Sequence, residues 1–203
     1  IHEYLSAYPQ KEKVLAARDH LTRKLVQLWN HCATEDWPWF EESATYDNAR
    51  LSQALILSGH AMEDQDTLQI GLESLRWLAS IQTTQGGHFR PIGSNGFYVK
   101  NGARADFDQQ PLEAQAMVSA CLDAFRITGD PEWASEAKRA FEWFLGRNDL
   151  GQPLYDSANG GCGDGLHEDR VNANQGAESS LAFQIALAEM THVVHPSLSS
   201  NES

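Results

Sequence analysis

The chain has 203 residues, 41% of them hydrophobic and 21% charged, enough for one globular domain to bury a sizeable core. Twenty-eight acidic against fifteen basic side chains give a net charge of −13, which repels nucleic acid and anionic lipid and favours a neutral or cationic partner. No run reaches the roughly 18 apolar residues of a membrane span, so neither nucleic acid nor membrane is expected as a partner.

Three cysteines, Cys32, Cys121 and Cys162, are odd in number and widely spaced. That pattern argues against a disulfide framework and for a reducing, cytoplasmic compartment. The chain opens on Ile1, without a charged-apolar-small leader. Residues 1–195 are expected to form one domain, and "PSLSSNES" at 196–203 a disordered tail.

Apolar spacing of three and four residues predicts six helices, over about 11–31, 47–62, 65–82, 110–128, 131–147 and 175–191, with no competing strand. The first carries Lys11, Glu12, Lys13, Arg18, Asp19, Arg23 and Lys24, and the fifth Glu132, Glu136, Lys138, Arg139 and Glu142. Both read as amphipathic, half-exposed outer helices. The second, fourth and sixth read "LSQALILS", "LEAQAMVSACLDAF" and "GAESSLAFQIALA", apolar or small nearly all round. Such helices are expected inside, covered on both faces.

Connections from inner to outer helices are short, as at Gly129-Asp130-Pro131, where Gly ends one helix and Asp-Pro starts the next. Those from outer to inner are long, spanning about 32–46, 83–109 and 148–174, so every long loop emerges at one end of the array. The units repeat at roughly 65 residues, with "WPWF", "GGHF" and "QPLY" in equivalent places and "DNAR", "QPLE" and "QGAE" opening the inner helices. The expected fold is all-α: an (α/α) array of three hairpins, half of a six-hairpin toroid.

Aligning the repeats puts Arg50, Glu113 and Glu178 at one shared position in the first turn of an inner helix. A first-turn carboxylate can simply complement the helix dipole, and Asp47, Asp108 and Asn174 can simply be caps. Arg50 is at the wrong end of the dipole for that explanation. Burying such charges without partners costs several kcal/mol, so a polar bowl at the loop end accounts for all three. Its rim is expected to carry Trp37, Trp39, His88, Arg90, Tyr98, Arg104, Asp106, Gln109, Gln110, His167 and Gln175 beside Asp47 and Asn174. Aromatic faces alternating with amides and carboxylates suit a sugar, whose C–H faces stack and whose hydroxyls need partners. Core packing is the alternative for each aromatic.

The strings "WPWFEESATYDNARL", "GGHFRPIGSNGFY", "DFDQQPLEA", "GGCGDGL" and "NQGAESSLAF" resemble the C-terminal half of a bacterial family with the six-hairpin glycosidase-like fold. Its members are commonly labelled glycosyltransferases or glycosidase-like proteins. The resemblance covers roughly residues 35–191 and implies an (α/α) toroid and a carbohydrate context, without a catalytic assignment to carry over. It also implies that a missing N-terminal half or a second chain completes the ring.

Chemistry on glycosidic bonds needs two carboxylates flanking the scissile oxygen, about 5–5.5 Å apart for retention and about 6.5–9.5 Å for inversion. Asp108, Asp164 and Glu178 are the candidates, and the glycines of "GCGDGL" would let the backbone bring Asp164 against an oligosaccharide. No cofactor or metal is expected. A non-catalytic glycan-binding accessory domain of a glycosyltransferase is the alternative, since no phosphate-cradling loop beside a parallel sheet is present. Two further alternatives are zinc chemistry through Cys162, Asp164 and His167, with His88 or Cys32 added, and a terpene-cyclase-like toroid, echoed by "QTTQGGHF" and more faintly by "DFD" at 106–108, without the acid-rich clusters of those enzymes.

Overall fold

The computed structural model describes residues 1–194; the expectation for the tail lies outside the described residues. A short helix α1 (His2–Ala7) precedes α2 (Glu12–Cys32), α3 (Ala49–Ala61), α4 (Gln65–Ile81), α5 (Pro111–Thr128), α6 (Pro131–Phe144) and α7 (Ala177–Val194). Each inner helix α3 and α5 packs against the outer helix that follows it, and α3, α5 and α7 lie side by side. The all-α hairpin array is therefore the observed architecture.

Local chemistry explains the boundaries. Asp64 caps α4 by accepting the Thr67 N–H, and Asp130 caps α6 by accepting the N–H of Glu132, with Pro131 in the first turn. Gly129 ends α5 at φ 72°, a left-handed conformation that favours glycine. The α3/α4 hairpin is tight because its contacts are small. A Cβ on Gly59 would sit 2.5 Å from the Leu68 nitrogen, and the hydroxyls of Ser52 and Ser74 bond at 2.9 Å.

The core runs between inner and outer layers. Trp39, Phe40, Phe89, Trp143, Phe144 and Phe183 are fully enclosed there, with Leu55, Ile56, Leu75, Leu78 and Met117. Burying each such aliphatic side chain contributes about 1.5–3 kcal/mol. Helix α5 is the most enclosed, consistent with its apolar surround.

Three expectations need correction. Four two-residue strands exist in the loops: β1 (Ser43–Ala44) pairs antiparallel with β2 (Tyr98–Val99), and β3 (Gly165–Leu166) with β4 (Val171–Asn172). Two residues are too few to show a period, so the sequence gives no sign of them. Helix α1 was not anticipated either, and buries only Leu5. Helix α7 is not covered on both faces: Leu181, Ile185 and Leu187 are 59%, 45% and 38% exposed.

Candidate functional site

The loop end is organised around Glu113, in the first turn of α5 and only 3% exposed. Its carboxylate accepts the backbone N–H of Asp47, the N–H of Asn48 at 3.4 Å and the Asn48 Nδ2 at 3.0 Å. Asn48 is the N-cap of α3, so a carboxylate on one inner helix satisfies backbone donors at the start of its neighbour. Burial pushes the Glu113 carboxyl up to about 7 against the opposing effect of these hydrogen bonds.

Asp47 has φ 53°, a left-handed conformation tolerated by Asp more than by most residues. Its carboxylate lies 3.4 Å from the Arg50 Nε. Burial raises its pKa against the pull of Arg50, and the charge of Glu178 raises it further. Next to it, Tyr46 donates its hydroxyl to Glu178 at 3.1 Å. The Tyr46 phenol is itself raised, by burial and then by Glu178, Asp47 and Glu113. Tyr46, Asp47, Glu113 and Glu178 thus form one electrostatic cluster.

Arg50 carries that cluster down the concave side of the inner helices. It donates to Gln53 at 2.8 Å and to Gln115 at 2.5 Å, Gln115 donates to Ser119 at 2.7 Å, and Ser119 donates to Glu189 at 2.6 Å. Gln53 also donates to Asp123 at 2.7 Å. Burial raises the Glu189 carboxyl, with Ser119 and Arg50 opposing.

The second loop supplies Asp108, half-exposed and hydrogen-bonded to His167 Nδ1. Most other polar residues of this loop are tied to the scaffold. Asp149 accepts from His88 Nε2 at 3.0 Å, from Arg90 Nε at 2.9 Å and from Gln109 Nε2 at 2.6 Å. Burial would raise Asp149, but those donors together hold it below the usual carboxylate range. Gln109 is fully buried and accepts the Trp143 indole N–H at 2.7 Å, while Gln110 is the N-cap of α5. Asp106 accepts from Arg90 at 2.9 Å and Arg104 at 2.7 Å, and Arg104 also donates to the Ile81 carbonyl at the end of α4.

In the third loop Asp164 accepts from Asn174 Nδ2 and, at 2.7 Å, from the Gly176 N–H just before α7. Burial acts upward on Asp164, but Asn174, Gly176 and Ser179 outweigh it and leave the carboxyl lowered. Gln175 donates to Asp156 at 3.2 Å. The close approaches expected of the "GCGDGL" glycines are to protein: a Cβ on Gly163 would meet the Asn172 carbonyl at 2.8 Å, and one on Gly165 the Gln109 carbonyl at 2.7 Å. Asp164 and His167 turn to different partners and Cys162 is buried, so the zinc alternative loses its ligand set. Among the described residues no three His, Cys, Asp or Glu converge as metal ligands. The three cysteines are free and buried, and burial pushes the Cys162 thiol up to about 12.

Two rim aromatics are core residues instead. Trp37 and Trp39 are 3% and 0% exposed. Trp37 packs edge-on against Trp77 and Tyr98 at 4.9 Å, so neither indole offers an open stacking face. Tyr98, on β2, is half-buried in the same cluster. Asp149, Tyr46, Gln115 and Glu189 are the polar residues that the sequence reading missed.

No family model and no curated protein matches the sequence. Among solved structures the (α/α)-hairpin array of this chain has a counterpart of similar fold. The comparison is with a GH76 α-mannanase of Bacteroides thetaiotaomicron, determined as its selenomethionine derivative: TM-score 0.57 and 12% identity, covering 76% of this chain and 40% of the mannanase chain. This chain thus spans well under half the length of that protein, and the likeness is one of fold. Among the described residues no helix is long and apolar enough to cross a membrane.

Proposed function

We propose that the protein acts on glycosidic bonds of a glycan, with Asp108 and Glu178 as the reacting carboxylates at the loop end of the array. The observation that carries this reading is the convergence of Tyr46, Asp47, Glu113 and Glu178 in one charge-coupled cluster at the starts of three neighbouring elements. A glycosidase-type fold, whose comparison structure is by name a mannanase, makes mannosides the first substrates to try.

In this reading Glu178, exposed and bonded among the described residues only to a phenol, meets a sugar as base or nucleophile. Asp108 shares a hydrogen bond with His167, which can orient the carboxyl and exchange its proton. Asp164 is a positioning residue that fixes the entry to α7 and hence the base of Glu178. Glu113 is too enclosed to touch substrate and acts through Asp47 and Asn48. Turnover of manno- and gluco-oligosaccharides by Asp108→Asn and Glu178→Gln tests the proposal, and wild-type rates in both would overturn it.

A binding-only reading is favoured by one observation: Asp164, a third candidate carboxylate, is occupied by donors of its own loop. Calorimetry beside a product assay separates the two, since heat of binding without product supports an accessory glycan-binding role.

A further inference from the structure

A pyranose ring is held by stacking its C–H face on an aromatic side chain and by pairing its hydroxyls. The two tryptophans that the sequence offers for stacking, Trp37 and Trp39, are enclosed and pack with Trp77 and Tyr98. Every other aromatic side chain of the three long loops is buried or half-buried, with one exception. Tyr46 is 53% exposed, and among the described residues no aromatic ring packs on it, whereas Tyr155 of the third loop is already stacked on Phe183.

A single exposed aromatic is ordinary on a protein surface, and three further observations set Tyr46 apart. Its hydroxyl donates to Glu178 at 3.1 Å, which places the ring beside a proposed reacting carboxylate. Its backbone is fixed on both sides: Ala44, two residues before, is enclosed and pairs with Tyr98 in the β1/β2 ladder, and the N–H of Asp47, the next residue, is held by Glu113. A flat ring with two side-chain torsions on a clamped backbone loses little freedom when a ligand lands on it. The surroundings are also acidic. Asp47 and Glu178 flank the phenol, while the Arg50 guanidinium is taken up by Asp47, Gln53 and Gln115. Such a place admits a neutral sugar and repels an acidic one.

We propose that Tyr46 is the stacking platform of the site, receiving the C–H face of a neutral pyranose ring while its hydroxyl keeps Glu178 turned toward that ring. This rests on the glycan reading, and adds to it the seat of one sugar and the exclusion of uronic and phosphorylated sugars. Ring and hydroxyl have separable effects. The ring acts on binding, and the hydroxyl acts on the reaction through Glu178.

Three variants of the full 203-residue chain separate those effects. Tyr46→Phe keeps the ring, Tyr46→Trp enlarges it and Tyr46→Leu removes it, and all three are expected to keep the helical circular dichroism because the side chain is exposed. Calorimetry with manno- and gluco-oligosaccharides, in an Asp108→Asn background that prevents turnover, is expected to leave Tyr46→Phe and Tyr46→Trp within about threefold of the parent and to weaken Tyr46→Leu by about tenfold. In steady-state kinetics with Asp108 intact, Tyr46→Leu is expected to have a KM about tenfold above that of Tyr46→Phe at the same kcat. Equal affinities of Tyr46→Phe and Tyr46→Leu overturn the platform, and so does an oligogalacturonate bound as tightly as the neutral sugars. Failure of the glycan reading gives a different result. Binding that follows the contrast between Tyr46→Phe and Tyr46→Leu, with no product from the wild-type chain, keeps the platform and refutes the reaction, whereas a wild-type chain that neither binds nor cleaves these sugars refutes both.

Discussion

Glu113 on α5 accepts the backbone N–H groups of Asp47 and Asn48, so the start of one inner helix is capped from the side by its neighbour. Replacing it by alanine strands these donors and the Asn48 amide in a buried place. Glu113→Ala is expected to lose about 1–3 kcal/mol or more in urea unfolding. Glu113→Gln, which keeps an acceptor oxygen and the side-chain volume, is expected to lose less.

The same carboxyl makes stability depend on pH. Its folded pKa, about 7, lies above the ordinary 4.5 because burial disfavours the charge. Between those values the folded chain holds a proton that the unfolded chain has released. This contribution is therefore fully present below about pH 4.5 and is lost as pH rises through about 7, at no more than about 1.4 kcal/mol per pH unit. Chemical denaturation across pH 4.5–8 measures the decline. The Glu113→Gln variant is expected to flatten it, with Glu189, also raised by burial, leaving a residual slope of the same sign.

Asp149 holds three residues of the second loop, His88, Arg90 and Gln109, and is 8% exposed at its side chain. Asp149→Ala leaves the partly buried Arg90 without its main counter-charge. A loss of about 3 kcal/mol or more is expected, read as a fall in thermal midpoint. The contribution of this lowered carboxyl is present above about pH 4 and is lost as pH falls through its depressed pKa, opposite in sign to that of Glu113.

Gly93 presses on the backbone of residue 107, where a Cβ would stand 2.0 Å from the Phe107 carbonyl oxygen. Backbone cannot step aside as a side chain can. Gly93→Ala is expected to cost about 1–3 kcal/mol by overpacking and to displace Asp108, whose carbonyl accepts the Ser94 N–H. If turnover is found, this variant should lose activity at temperatures where it is still folded.

On the proposed function, Glu178→Gln and Asp108→Asn are expected to lower turnover of a manno-oligosaccharide by about 10²–10⁴. Tyr46→Phe removes only the hydroxyl bonded to Glu178 and should shift the pH profile of the reaction with a smaller loss of rate. Steady-state kinetics over pH checks both.

Helical layers were legible because burial imposes a 3.6-residue period on long segments, and the six expected helices differ from the observed ones by at most about three residues at an end. The shared position of Arg50, Glu113 and Glu178 was legible from the repeat. What Glu113 does there was not, because its partners lie 65 and 66 residues away. Asp149 sits in "RNDLGQP", which reads locally as a turn, and nothing near it announces Arg90 or Gln109. Trp37 and Trp39 misled because a rim aromatic and a core aromatic leave the same trace in "WPWF". Only the tertiary contact with Trp77 separates them.

Arg104 and Arg139 both aim guanidinium groups at the last carbonyls of α4, at Ile81 and at Ala79 and Gln82. Positive charge at a helix C-terminus is favourable, and here one comes from the following loop and the other from α6. These anchors clamp the second loop to rigid scaffold, whereas the tip of the third loop, around Asp156, is held mainly by bonds of that loop to itself. Amide hydrogen exchange should therefore be slow from Gln82 to Phe89 and fast from Ser157 to Gly160. Any accommodation of an incoming guest falls to the loosely moored side of the entrance.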